Sequence, residues 1–248
     1  FSQHSLEDHI KFINQNKIEK ACIIAENIEF ITKCPSLKYI EIIPADTAIN
    51  FDYSPLYKMP DIKYLFCKTM YGREECRFTS IDYSRINGLV EINISGKGHL
   101  NYDKVNSIEK LYISEQRKYF DLRNFNGCKN IKKLCLFKCT IKSLIGISIL
   151  NSLQQLVLED IRILTDISEL EYIAHTLRSL RISNCPKIDD FTCLYSLKNL
   201  EHLELLGNNE LPNLEFLSQM KKLKTFSFSI KIKNKDLIPC LQVPYVIC

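Results

Sequence analysis

The sequence predicts an α/β fold, a right-handed solenoid wound into a horseshoe. A parallel β-sheet lines its concave side, and short helices or irregular turns form its convex side. Three observations predict it. A short phrase (apolar, two residues, apolar, one residue, apolar) begins at Ile18, Leu37, Ile62, Leu89, Ile108, Ile131, Leu153, Leu177, Leu200 and Leu223. The steps between copies run from 19 to 27 residues, a period that marks stacked repeats. All thirty phrase slots are apolar although only 46% of the chain is, the mildest members being Ala21, Cys67, Phe226 and Phe228.

The elements follow in chain order. Ser5 precedes Leu6, Ile10 and Ile13 at helical spacing, which predicts an amphipathic cap within residues 5–17, covering the open edge of the first strand. About ten repeats follow over 18–230. Side chains alternate across a strand, so phrase positions four and six point inward while three, five and seven reach the open face. The connecting segments carry helix-start signals: Ser54-Pro55, Asp190 before Phe191, and Pro212 before Asn213. They have room for one or two turns. The irregular stretch 70–78 belongs to the longest step and reads as a projecting loop that could carry recognition. Residues 231–248 read as a C-terminal cap holding a degenerate eleventh phrase, Val243-Pro-Tyr-Val246-Ile-Cys248, whose proline suits an edge strand. The uninterrupted repeat makes 1–248 a single domain.

The repeat residues resemble those of leucine-rich-repeat proteins. Leu153 to Leu223 is similar to the short bacterial repeats of the internalin type, and Asn208 matches that family's ladder asparagine, which would satisfy backbone groups at the turn. Cys128-x-x-Ile131-x-x-Leu134-x-Leu136-x-x-Cys139 instead resembles the cysteine-containing class found in ubiquitin-ligase substrate receptors. The resemblance implies a protein-binding scaffold.

Composition narrows the function. Net charge is +4 with the two signs interspersed, so neither a basic arm for nucleic acid nor an acidic tail is present, and nucleic-acid binding is not expected. The longest apolar stretch, around Leu144–Leu150, falls far short of the roughly 20 residues that span a bilayer. No signal peptide is visible, while a start at Phe1 leaves room for a removed leader. Of the eleven cysteines, Cys34, Cys128 and Cys240 fall three residues before a phrase-like start, in a column otherwise apolar, and Cys67 fills a core slot. They read as buried thiols in a reducing, cytoplasmic setting.

Catalytic chemistry is not expected. Cys135-x-x-x-Cys139 diverges between the open face and the turn, the five histidines form no zinc pair, and Ser95-Gly-Lys97-Gly-His99 lacks phosphate-loop spacing. No cofactor or metal is expected, and no serine sits in a nucleophile elbow. The open-face columns instead expose an aromatic tract across copies two to six, Tyr39, Tyr64, Phe66, Tyr112 and Phe137. Around it lie Glu41, Glu91, Lys110, Lys133, Glu159 and Arg181. Aromatics in a mixed polar surround are the composition of a protein interface. The expected function is a non-enzymatic scaffold, monomeric alone, that docks one protein partner, in the manner of an intracellular bacterial inhibitor or immunity-type protein. The alternative is the substrate-recognition part of a larger enzyme system, a ligase receptor or secreted effector.

Overall fold

A computed structural model describes residues 5–68, 77–96, 98–116, 118 and 120–248. The parallel solenoid predicted from the sequence is the fold. The chain divides into two compact units, Phe1–Ile108 and Glu109–Cys248.

The first unit begins with α1, Leu6–Gln15. Its N-terminus is closed reciprocally: the Ser5 hydroxyl accepts from the Asp8 N–H and the Asp8 carboxylate accepts from the Ser5 N–H. Those hydrogen bonds hold the Asp8 carboxyl below its ordinary range. Of the predicted apolar stripe Ile10 is buried, whereas Leu6 is half exposed. The helix is tied to the next turn by Asn14 Nδ2 donating to the Lys33 carbonyl at 2.8 Å. The unit's long strands follow, β1 (Lys20–Ala25), β2 (Tyr39–Pro44), β3 (Tyr64–Lys68) and β4 (Glu91–Ser95), beside shorter two-residue ladder strands. They pair in parallel with equivalent phrase positions side by side, Lys20 with Tyr39, Tyr39 with Tyr64 and Tyr64 with Glu91.

The second unit repeats the scheme in β5 (Lys110–Ser114), β6 (Lys133–Phe137), β7 (Gln155–Glu159), β8 (Ser179–Ser183), β9 (His202–Leu206), β10 (Thr225–Phe228) and β11 (Tyr245–Ile247). Neighbours again pair parallel and in phase, as in Lys110–Lys133–Gln155–Ser179–His202–Thr225–Tyr245. Every phrase slot from Leu37 onward is buried, while Ile18 and Ala21 in the first copy stay partly open. Alternation places inward leucines and isoleucines in one continuous core within each unit and leaves positions three and five on the strand face.

The outer wall consists of short 3-10 turns rather than longer helices. Most are opened by an Asp or Asn carboxylate or amide oxygen that accepts the N–H two residues on: Asp52 from Ser54, Asp82 from Ser84, Asp121 from Arg123, Asp166 from Ser168, Asp190 from Thr192, Asn213 from Glu215 and Asp236 from Ile238. Ser54 and Pro212, expected from the sequence to open helices, do not accept these N–H groups; Asp52 and Asn213, one residue before the N-caps Tyr53 and Leu214, do. Turns of about five residues are stretched by the return path, and the tighter 3-10 form covers more distance per residue than an α-turn.

The predicted ladder asparagine moves by one position. Asn208 is exposed, and Asn209 is the buried donor, giving its side-chain amide to the Cys185 carbonyl at 3.0 Å and the Ile188 carbonyl at 2.8 Å. Gly207, at φ +121°, holds the positive-φ position that Glu115, Lys138, Asp160 and Asn184 hold in earlier copies, so the extra residue falls after it. In two other copies a thiol stands in the equivalent slot. Cys139 Sγ donates to the Ile113 carbonyl at 3.4 Å, and Cys185 Sγ lies 3.5 Å from the Ser183 carbonyl.

Candidate functional site

In the first unit the strand face is built from equivalent positions of β1 to β4. Register seats Tyr39 beside Tyr64, Tyr64 beside Glu91, Glu41 beside Phe66, and Phe66 beside Asn93. Tyr39 is exposed; Glu41, Tyr64, Phe66 and Glu91 are partly so. Lys20 Nζ stands 5.1 Å from the centre of the Tyr39 ring, and the Tyr64 hydroxyl reaches Glu41 Oε1 at 3.5 Å. Burial, with Glu41 and Glu91 nearby, pushes the Tyr64 phenol up to about 12. Lys20, Cys22, Tyr39, Glu41, Tyr64 and Glu91 line a shallow depression of about 510 Å³.

The second unit carries the remaining residues singled out in the sequence: Lys110, Tyr112, Lys133, Phe137, Glu159 and Arg181. Lys133 Nζ lies 5.3 Å from the centre of the Tyr112 ring. Tyr112 pairs in register with Cys135, whereas Phe137 pairs with Ser114 and Glu159, so the two aromatic residues occupy different columns. Arg181 sits between two carboxylates, with Nη1 2.7 Å from Glu204 Oε2 and Nε 3.8 Å from Glu159 Oε2. Glu204, which the open-face column of the sequence also contains, is thereby an ion-pair partner on this face. It stands beside Arg181 in the same column, as the repeat spacing places it. Lys20 and Cys22 join the first unit's face by the same logic.

The five aromatics thus fall as Tyr39, Tyr64 and Phe66 on the first unit and Tyr112 and Phe137 on the second. The candidate loop 70–78 lies almost wholly outside the described residues, as does Lys97 of the Gly-rich stretch. His99 from that stretch folds back, with Nδ1 2.9 Å from the Tyr83 hydroxyl and Nε2 3.1 Å from the Ser95 carbonyl. Cys135 lies on the strand face and Cys139 in the core; burial pushes both thiols up to about 11. Among the described residues no group of three or more His, Cys, Asp or Glu side chains is placed to hold a metal ion, and no helix is long and apolar enough to cross a membrane. What the faces offer is fixed, half-desolvated aromatic surface beside charges of both signs. Such composition is that of protein interfaces, with aromatic residues and arginine enriched.

The family model described as At1g61320/AtMIF1, LRR domain, matches residues 107–243, more than half of the chain. Among solved structures, an internalin (inlF) from Listeria monocytogenes aligns with a TM-score of 0.59 at 14% identity, over 88% of this chain and 69% of that one. Internalin C2 from the same organism aligns at 0.44 and 22% identity, covering 67% and 64%. A plant peptide hormone receptor, RGFR1 in complex with RGF2, aligns at 0.40 and 13% identity, covering 84% and 46%. No curated protein matches the chain.

Proposed function

Since the chain belongs to the At1g61320/AtMIF1 leucine-rich-repeat domain family, we propose that it is a non-enzymatic scaffold that docks one protein partner through its strand faces. The observation that carries this reading is the set of aromatic and charged side chains projecting from strands that pair in phase, Tyr39, Tyr64 and Phe66 on one unit and Tyr112, Phe137 and Arg181 on the other. Strands fix these side chains before the partner arrives, so little ordering entropy is lost on docking. Tyr and Arg are also the residue types that dominate binding energy at interfaces. Rigid docking suits occlusion: the scaffold covers a functional surface of its partner and so inhibits it. Buried thiols filling core slots, Cys34, Cys67, Cys128 and Cys185 among them, support a reducing, cytoplasmic setting for this activity.

The test is affinity capture from cells that natively produce the protein, comparing wild type with Phe66→Ala, Tyr112→Ala and the double variant by mass spectrometry. The dominant captured protein is expected to be lost or strongly depleted with the double variant. If it binds that variant at unchanged affinity, the strand faces are not the docking surface.

A further inference from the structure

We propose that the depression on the strand face of the first unit receives a cationic side chain, an arginine or a lysine presented by the protein partner. The inference rests on the scaffold reading and names the chemistry of one of its contacts.

Four features of the depression point to a cation. Its wall is aromatic, with Tyr39 and Tyr64 in neighbouring strands, and ring faces attract cations through their quadrupole. Two carboxylates, Glu41 and Glu91, line it, with Lys20 the one cation among its described lining residues. Glu41 meets the Tyr64 hydroxyl at a long 3.5 Å and, among the described residues, no cation. Finally, the protein already places a cation there: Lys20 Nζ sits over Tyr39 at 5.1 Å. Lys20 is exposed and lies on β1, so its flexible stem can swing outward and yield the ring face to an incoming group.

The alternatives fit less well. An anionic side chain would meet two carboxylates at close range. A neutral one would desolvate those carboxylates without replacing their lost water contacts. A guanidinium or ammonium pairs with the Glu41 carboxylate while lying on the rings, and hydrogen bonds with an ionised partner are the stronger kind. The volume of about 510 Å³ has room for an extended basic side chain together with its flanking backbone.

The experiment is an NMR titration of the 15N-labelled chain with four blocked tripeptides, Gly-Arg-Gly, Gly-Lys-Gly, Gly-Ala-Gly and Gly-Glu-Gly. The arginine and lysine peptides are expected to shift amides of residues 20–22, 39–41 and 64–66, and the alanine and glutamate peptides to leave them in place. Glu41→Gln, an isosteric change on the surface, should weaken arginine-peptide binding about tenfold, the loss of one charge-assisted contact. Lys20→Gln should strengthen it by removing the internal competitor. Asn208→Ala, on an exposed side chain of the second unit, should leave it unchanged. The proposal is overturned if the arginine peptide shifts these amides no more than the alanine peptide does, or if Glu41→Gln binds as wild type. The two readings separate cleanly. A captured partner that depends on Phe66 and Tyr112 but is indifferent to Glu41→Gln and Lys20→Gln leaves the scaffold standing and removes the cation site.

Discussion

At the residue scale, Asn209 and His99 each hold together a place where the chain turns away from its sheet. The Asn209 amide donates to two backbone carbonyls, Cys185 and Ile188, inside the second unit. Those acceptors are buried, and removing their donor leaves polar groups without partners. Asn209→Ala should therefore cost about 2 kcal/mol, while Asn208→Ala, on an exposed side chain, should stay within about 0.5 kcal/mol of wild type. Urea unfolding midpoints of the two variants distinguish the registers; equal effects would place the ladder contact at neither residue. His99 supports the first unit in another way. Its ring lies between the Tyr83 hydroxyl and the Ser95 carbonyl, an arrangement that suits a neutral imidazole with the proton on Nε2. Burial, the larger cause, lowers its pKa from 6.5 to about 4. Below pH 6.5 the unfolded chain takes up this proton and the folded chain does not, so stability falls as pH drops from 6.5 towards 4. The loss amounts to about 3 kcal/mol across that window. His99→Gln should flatten this limb of the stability–pH curve. The hydrogen-bonded carboxylates of Asp52, Asp82, Asp121 and Asp190 are held below 3.8, so they act in a lower window: their stabilisation is present above 3.8 and lost beneath it.

At the scale of the element, the outer wall depends on one device used repeatedly: an Asp or Asn whose side chain accepts the N–H two residues ahead and starts a 3-10 turn. Asp190 accepts from Thr192 at 2.8 Å, and Asn213 from Glu215 at 2.9 Å. Removing such a cap costs typically about 1 kcal/mol. Asp190→Ala should lose that amount in thermal or urea unfolding, and Asp190→Asn should recover most of it because the amide oxygen still accepts. A drop of equal size for Asp190→Asn would mean that charge, not the hydrogen bond, stabilises the turn. These turns show how far the sequence could be read. The strands were legible because period-two alternation with fixed apolar slots permits only one register: a slip by one residue would turn Leu156, Leu180 and Leu203 out of the core. The turn starts were half legible. Asp190 was identified, but Ser54 and Pro212 drew attention from Asp52 and Asn213, whose polar oxygens accept the N–H groups. Asn208 stands at the family's spacing and Asn209 one residue beyond it, and a one-residue shift within the turn leaves no mark on the apolar pattern. On the strand face the columns were legible from spacing, which is why the Arg181–Glu204 pair could have been found. The placement of Lys20 and Lys133 over tyrosine rings could not, since long flexible side chains choose their direction only once the neighbouring strands are set.

At the scale of the whole molecule, a solenoid is stabilised coil by coil, each coil by its neighbours, so it should open where a coil is least covered. The cysteines report this directly, because they are spread along the array in graded burial. Cys22 and Cys248 are exposed, Cys135 is partly so, and Cys34, Cys67, Cys128, Cys139, Cys185, Cys193 and Cys240 are buried. Burial pushes the Cys139 and Cys185 thiols up to about 11 and Cys193 to about 12, so little reactive thiolate forms in the folded state. Within the second unit, Cys240 lies in the coil whose neighbours are most open: Ile238 is 72% exposed and Leu241 86%. Cys185 by contrast is 0% exposed, between strands paired on both sides. Pulsed iodoacetamide labelling of this chain, read by peptide mass spectrometry, should therefore modify Cys22 and Cys248 at once and Cys135 more slowly. Cys240 should follow through local opening, well before Cys128, Cys139, Cys185 and Cys193, which should wait for a larger unfolding event. Mild urea should accelerate that last group most, because their exposure uncovers the most surface and so carries the steepest denaturant dependence. If Cys240 and Cys185 instead label together, at one rate with one urea slope, the second unit opens as a single cooperative block, and additive coil-by-coil stability does not describe it.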